Sequence, residues 1–462
     1  MGLDVRMRHP VAYDDQVVAD ALGEPPLPFG HADRVLAPFI TIDGRIHGLT
    51  SNFLRHHCLA KPEVGTATRI ASDLVGWVDF LVNHRGRHPF EDHRDPVLAA
   101  TEEDFNAYYR RRQYGEDAHM LTGDGWRNAS SAIKRLYEYL QRRYQHRPPF
   151  EIIKVGKEGQ WSGTTIGGYP PRRRSTGSAG IPLTPEYADY LLMGALRVDL
   201  NGRQQAYLGA DRDHALISLA LATGQRRHNL ANTTTHELPR ISPLPITTTR
   251  VADQITKGDA GGDALVFTHR LQALWDYVDN ARAEIAERTT YKPERPLHIL
   301  EADQKRVRYE DPDHPSGVRT RLWADCDYKI RRRLVESDGS SPIVFLNEFT
   351  GEPLAYRSLQ HIIKGARDFV RAHITADFPG GFRLHDCRHT YAVHLTVCIY
   401  RGVIADSLPE HRRENWIADN IAAAVELVKF SLGHASESST RLYNQSAHRF
   451  LAIPAEQFLG GN

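Results

Sequence analysis

A mainly helical protein of the α+β class, built as two domains, is what this sequence predicts. Three observations predict it. Apolar residues recur at three- and four-residue spacing in several long stretches, the mark of helices buried on one side. These stretches fall into two groups, separated by a segment from Gly156 to Gly180 that is rich in Gly, Ser, Thr, Pro and Arg. Strand-like runs are few and short, enough for a small antiparallel sheet.

Residues 1–59 read as an N-terminal extension. Pro25-Pro26-Leu27-Pro28 bars a continuous helix, and Ile40 to Ile46 reads as a short hairpin. Residues 60–148 read as a helical domain. From Thr66 to His84, the residues Ile70, Leu74, Trp77, Val78 and Leu81 form one apolar stripe. Thr101 is an N-cap followed by Glu102, Glu103 and Asp104, with Phe105, Tyr108 and Tyr109 as the apolar positions. A third helix, Gly125 to Tyr144, turns Trp126, Ile133, Leu136, Tyr137 and Leu140 inward. Its Arg127, Lys134, Arg135, Arg142 and Arg143 form a face that can meet a phosphate backbone. Pro148-Pro149 ends the unit, and residues 149–180 read as a linker with a short hairpin and Arg172-Arg173-Arg174.

Residues 181–446 read as the second domain. Thr184 and Pro185 open its first helix. His214 to Thr223 is an apolar helix that stops at Gly224. Val251–Thr256 and Ala264–Phe267 read as a hairpin with Lys257 near its tip. Leu271 to Ile285 is helical, Glu287 to Pro342 is a polar insertion of irregular pattern, and Ile343–Leu346 is a short buried strand. Ser358 to Ala372 is a helix with Leu359, Ile362, Ile363, Ala366 and Phe369 on one side. Residues 447–462 form a tail whose Phe450, Leu451, Ile453 and Phe458 can fold back on their own domain.

Composition bounds the function. A chain of 462 residues is too long for one ordinary domain, and 41% hydrophobic residues suffice for packed cores. No apolar run is long enough to span a membrane, and the N-terminus lacks the core of a signal peptide, so a cytoplasmic protein is expected. Cys58, Cys326, Cys387 and Cys398 form no CxxC pair, which suggests neither a zinc site nor a disulfide framework. A net charge of +1 does not advertise a nucleic-acid binder, although Arg110–Arg112, Arg172–Arg174 and Arg331–Arg333 are clustered; each run alone reads as a solvated face.

The chemistry concentrates between Arg383 and Tyr443. His385-Asp386-Cys387-Arg388-His389-Thr390 is followed by Leu432-Gly433-His434 and, nine positions after that histidine, by Tyr443. Arginine offers a planar fork of donors to phosphate. Histidine can move a proton, and tyrosine can be a nucleophile. Asp386 with His385 and His389 also allows a metal reading, which ranks well below the phosphate one.

In this order the motifs resemble the tyrosine recombinases, the phage-integrase-type site-specific recombinases, over roughly residues 60–446. The family's first arginine follows a Thr-Gly turn, here Thr223-Gly224-Gln225-Arg226, with Arg227 adjoining so that the register could shift by one. Its hairpin lysine matches Lys257, its His-x-x-Arg box matches His385 and Arg388, and its Leu-Gly-His box ends at His434. Where the family often has Glu three residues after the first arginine, this chain has Asn229. The segments from Lys257 to His385 and from Arg388 to His434 are long for the family, the latter through a polar piece at Cys398–Trp416.

The resemblance implies a helical core-DNA-binding domain, a catalytic domain and attack by Tyr443 on a DNA phosphodiester to give a 3′-phosphotyrosyl link. It implies that Arg226 and Arg388 hold the non-bridging oxygens and that His434 adds a hydrogen bond. His385 would be the base or a positioning group, and Lys257 would protonate the leaving oxygen. It further implies double-stranded DNA as partner, a homotetramer on two duplexes, a tail over residues 447–462 that can instead be exchanged with a neighbouring subunit, accessory directionality factors as further partners, a mobile element as source, and neither cofactor nor metal. A type IB topoisomerase and a catalytically silent DNA-binding relative are the alternatives.

Overall fold

The structure, a computed structural model, describes residues 2–13, 35–60, 64–87, 95–115, 120–155, 163–171, 180–256, 261–289, 291–401, 424–426, 428, 432 and 446–460. The chain divides into two compact units, Met1–Ser178 and Ala179–Asn462.

In the first unit, β1 (Val5–Tyr13), β2 (Val35–Ile42) and β3 (Arg45–Ile46) make an antiparallel sheet. Asp43 and Gly44, both at positive φ, form the tight turn between β2 and β3. Then come α1 (Gly48–Ala60), α2 (Val64–Asp79), α3 (Glu102–Tyr114) and α4 (Gly123–Tyr144). The stripe read over Thr66–His84 is buried as its spacing predicts: Ile70, Leu74, Trp77 and Val78 of α2 and Leu81, in the wider helical turn Phe80–His84 that continues it, are all in the core. Thr101 caps α3 by accepting from the Asp104 N–H, while the Asp104 carboxylate accepts from the Thr101 N–H. Ile40, Ile42, Phe53 and Leu54 share one core with these helices, so residues 35–60 are an integral part of the unit. The same holds for part of residues 149–171. Strands β4 (Ile152–Val155) and β5 (Gly163–Ile166) pair, and the Tyr169 carbonyl accepts from Trp126 Nε1 at 2.9 Å. Arg172–Arg174 lie outside the described residues.

The second unit packs helices on one another. These are α5 (Pro185–Leu196), α6 (Ala210–Thr223), the short α7 (Arg227–Leu230), α8 (Gln272–Asp279), α9 (Ala281–Glu287), α10 (Tyr328–Arg333), α11 (Ser358–His373) and α12 (Leu384–Ile399). Leu191, Leu216, Leu219, Ile363, Val370, Phe382 and Cys387 share its main core. Thr184 caps α5 with Pro185 as its first residue. The helix expected over Leu271–Ile285 breaks at Asn280, which leaves the helical region with φ −117° and ψ −88°.

Strands β6 (Ile246–Val251) and β7 (Gly262–Phe267) form the expected hairpin, with Val251 opposite Gly262. The first strand runs earlier than expected, because Ile246-Thr247-Thr248-Thr249 is β-branched throughout and Asp253–Ile255 forms a tight helical turn. Ile343–Leu346 is buried as expected but makes only isolated bridges, Thr234 with Ile343 and Leu346 with Pro353.

The insertion is not irregular. Strands β8 (Leu297–Ala302), β9 (Arg306–Glu310), β10 (Val318–Leu322) and β11 (Leu334–Val335) form a sheet in the order β10-β9-β8-β11, with its own core of Leu297, Val307, Tyr309, Trp323, Cys326 and Leu334. Arg331 is no solvated residue. Fully buried, it pairs with Glu237 and donates to the carbonyls of Trp323, Cys326 and Asn232. The architecture is thus mostly helical with small sheets, and the tail folds onto α12 of its own chain, with Phe450 and Phe458 beside His394.

Candidate active site

Helix α12 is the hub of the second unit, and each of its faces holds a different motif. Asp386, Thr390 and His394 are four residues apart and line one face. The Asp386 carboxylate accepts from the N–H groups of Arg383 at 2.7 Å and Ile181 at 3.3 Å. Thr390 Oγ1 accepts from the Leu183 N–H at 3.0 Å, and His394 Nε2 donates to the Leu183 carbonyl at 2.8 Å. This ladder fixes residues 180–183 against the helix. A side chain at Gly180 would put Cβ 1.7 Å from the His389 ring, so only glycine fits there.

A second face carries Arg388, which is 4% exposed. Its Nη1 donates to the Gly224 carbonyl at 2.7 Å and its Nη2 to the Leu432 carbonyl at 2.5 Å. One guanidinium therefore joins the Thr-Gly-Gln-Arg turn, the His-x-x-Arg helix and the leucine of the Leu-Gly-His box. The turn is built for close approach. Gly224 ends α6 at φ +60°, where a Cβ would lie 2.3 Å from the Tyr391 ring. Thr223 Oγ1 donates to the Leu219 carbonyl and accepts from the Gln225 N–H. Tyr391 in turn donates its hydroxyl to the Leu265 carbonyl of β7 at 2.7 Å and packs on Phe267.

Arg226 is the half-buried N-cap residue of α7. The α7 residues tie it to the tight turn that follows β6. His228 Nδ1 donates to the Ile255 carbonyl at 2.9 Å, and Asn229 Nδ2 donates to Thr256 Oγ1 at 3.0 Å. Asn229, where glutamate was the expected type, thus anchors the residue before Lys257 by a neutral hydrogen bond.

Crowding around the otherwise exposed His385 strips its hydration, and Arg388 and Arg226 add positive charge. These effects push its pKa below the usual histidine value against the opposing pull of Asp386. His389, edge-on to His385 with ring centres 4.8 Å apart, is pushed down to about 4 by burial, His385 and Arg388. At neutral pH both rings are uncharged, so His385 can accept a proton. Burial raises the Asp386 pKa, but the two backbone donors occupy its carboxylate. The His385–Asp386–His389 metal triad does not form: among the described residues no cluster of three or more His, Cys, Asp or Glu could hold a metal.

Of the six expected site residues, Arg226, His385 and Arg388 come together in the second unit. Lys257, His434 and Tyr443 lie outside the described residues, as does most of the polar piece at Cys398–Trp416. The sequence reading missed Asp386, Thr390 and Tyr391 as positioning residues; the spacing of Asp386, Thr390 and His394 was the available signal. In the first unit the expected basic face is partly engaged. Lys134 donates to Thr164 and Arg127 pairs with Asp124, while Arg135, Arg142 and Arg143 are exposed. No helix among the described residues is long and apolar enough to cross a membrane.

No protein-family model and no curated protein matches the chain. It is similar to solved structures of recombinases and integrases at low identity. One is a XerH site-specific recombinase bound to its difH substrate, 13% identical, covering 84% of this chain and 80% of that one at a TM-score of 0.45. Another is residues 82–397 of the Tn1549 transposon integrase in complex with circular intermediate DNA, 12% identical, covering 88% and 99% at a TM-score of 0.43. A third is a dimer of lambda integrase residues 75–356 bound to a COC′ core site, 11% identical, covering 85% and 94% at a TM-score of 0.45.

Proposed function

We propose that this chain is a site-specific recombinase that cuts and rejoins DNA strands through a covalent link to Tyr443. The observation that carries the reading is the Arg388 side chain, which ties the Gly224 turn and Leu432 to the His385 helix. It brings the segment ending at Arg226 and the segment leading to His434 to one place, with His385 in electrostatic reach of both arginines.

The roles follow from charge and protonation. Arg226 and Arg388 are fixed cations for the two non-bridging oxygens of a phosphodiester, whose charge grows as a nucleophile adds. A free tyrosine has a pKa of about 10, so its proton must leave as the oxygen attacks. The uncharged His385 accepts it. The Tyr443 oxygen bonds to phosphorus, the bond to the 5′ oxygen breaks, and Lys257 gives that oxygen a proton. His434 adds a hydrogen bond to the phosphate. Attack by a 5′ hydroxyl from a partner strand reverses each step and transfers the strand. The ester bond is conserved throughout, so the cycle needs no nucleotide hydrolysis.

The test uses nicked duplexes from the junctions that flank the gene. Cleavage next to the nick releases a short fragment and traps the covalent adduct. The reading expects a denaturant-resistant protein–DNA adduct and, on two intact sites, recombinant products. Relaxed circles without recombinants would assign the topoisomerase reaction instead, and binding without an adduct would leave only a DNA-binding protein.

A further inference from the structure

The two residues after Arg226 also make contacts outside the phosphate clamp and the core. Arg227 lays its guanidinium carbon 3.8 Å from the ring centre of Tyr356. His228 stands edge-on to Tyr328 at 5.7 Å and tilted to Tyr356 at 6.2 Å, with its ring held by the Ile255 carbonyl. Tyr328 and Tyr356 are 44% and 42% exposed. They come from separate places: Tyr328 opens α10 in the β-sheet insertion, and Tyr356 precedes α11. Each is followed by an exposed cation, Lys329 and Arg357.

Two half-exposed tyrosines around an arginine and a histidine are unusual as core packing, since each keeps more than two fifths of its surface open to solvent. They suit a sugar–phosphate strand, which is held by arginine and lysine charge, tyrosine hydroxyls and ring faces. Stacking on Tyr356 also limits the rotamers open to Arg227, so less order is lost when it meets a phosphate.

We propose that Arg227, Tyr328 and Tyr356 form a backbone-contact platform for the DNA strand flanking the phosphate held by Arg226. Arg227 contacts a neighbouring phosphate, Tyr356 positions Arg227, and the insertion contributes Tyr328 as a second contact. The location rests on the strand-transfer reading of Arg226. The contact itself is a binding property and is measured separately.

The experiment titrates a labelled nicked duplex with the full chain over a series of salt concentrations. Arg227→Gln should weaken binding about tenfold at low salt, as expected for loss of one charge-assisted contact. It should also lower the slope of log affinity against log salt by about 0.9, the release of one phosphate's counterions. Tyr356→Leu should reproduce that loss, the Arg227→Gln/Tyr356→Leu pair should be no worse than either, and Tyr356→Phe, which keeps the stack, should bind as the parent. A merely structural role for Tyr356 would lower the melting temperature and leave the salt slope alone. An Arg227→Gln protein with the parent's affinity and slope overturns the platform. The same samples are scored for adduct. A parent that forms adduct while the variants bind unchanged loses only the platform; a parent that forms none while Arg227→Gln lowers the slope loses only the strand-transfer reading. A parent that binds no DNA loses both.

Discussion

Gly224→Ala is the substitution whose cost can be worked most directly from the structure. The residue ends α6 at φ +60°. An alanine in that left-handed conformation costs about 1–2 kcal/mol. Its Cβ would also sit 2.3 Å from one Tyr391 ring carbon and 2.9 Å from two others. The ring cannot simply swing away, because its hydroxyl is bonded to the Leu265 carbonyl and the Phe267 ring stands against it, nearly perpendicular, at 5.8 Å. Overpacking of this kind costs about 1–3 kcal/mol. The sum, about 2–5 kcal/mol, should appear as a lower denaturation midpoint in urea. The overlap also pushes α12 away from the turn and weakens the Arg388 bond to the Gly224 carbonyl. Adduct yield should therefore fall more than the folded fraction does. A double-mutant cycle with Tyr391→Ala isolates the overlap. In that background Gly224→Ala should cost only the backbone part, about 1–2 kcal/mol. A single mutant within about 0.5 kcal/mol of the parent, or a cycle with no coupling, would refute the claim that this turn is fixed against Tyr391.

Three further outcomes follow. Arg226→Gln removes one of the charges that hold the His385 pKa down, so the His385 resonances should titrate at higher pH than in the parent; an unmoved titration would separate the two residues. Arg331→Ala leaves Glu237 buried without its partner and should cost about 3–5 kcal/mol, seen as a lower melting temperature and early proteolysis in residues 291–341; a neutral effect would contradict the pairing. His394 is buried and uncharged, with its pKa pushed down to about 3 by burial, whereas an unfolded histidine titrates near 6.5. Its folded pKa is the lower one, so this contribution is complete above pH ~6.5 and is lost as pH falls towards about 3, amounting to about 2 kcal/mol by pH 5. Acid melts of the parent and of His394→Gln should therefore differ in slope between those limits, and parallel slopes would contradict it.

Much of the site could be read from the chain because its chemistry is local. Thr223-Gly224-Gln225-Arg226 needs a helix end at a positive-φ glycine, and His385 and Arg388 need one helical turn; both are properties of adjacent residues. Long helices with one buried face were legible for the same reason, as the α2 stripe shows. What was not legible depends on distant partners. The insertion read as irregular because its strands are short and their open side is charged, yet Arg306-Val307-Arg308-Tyr309-Glu310 alternates as a half-buried strand should. The burial of Arg331 could not be foreseen, since Glu237 lies far away in sequence. Residues 1–59 read as an extension because the apolar side of residues 35–60 is completed only by helices that follow later in the chain.

Digestion of the trapped protein–DNA adduct, followed by mass spectrometry of the modified peptide, identifies the nucleophile itself. The expected product is a nucleotide joined through its 3′ phosphate to the peptide that contains Tyr443, with no adduct from Tyr443→Phe on the same DNA. A phosphodiester on any other residue, or an adduct that persists in Tyr443→Phe, would contradict it.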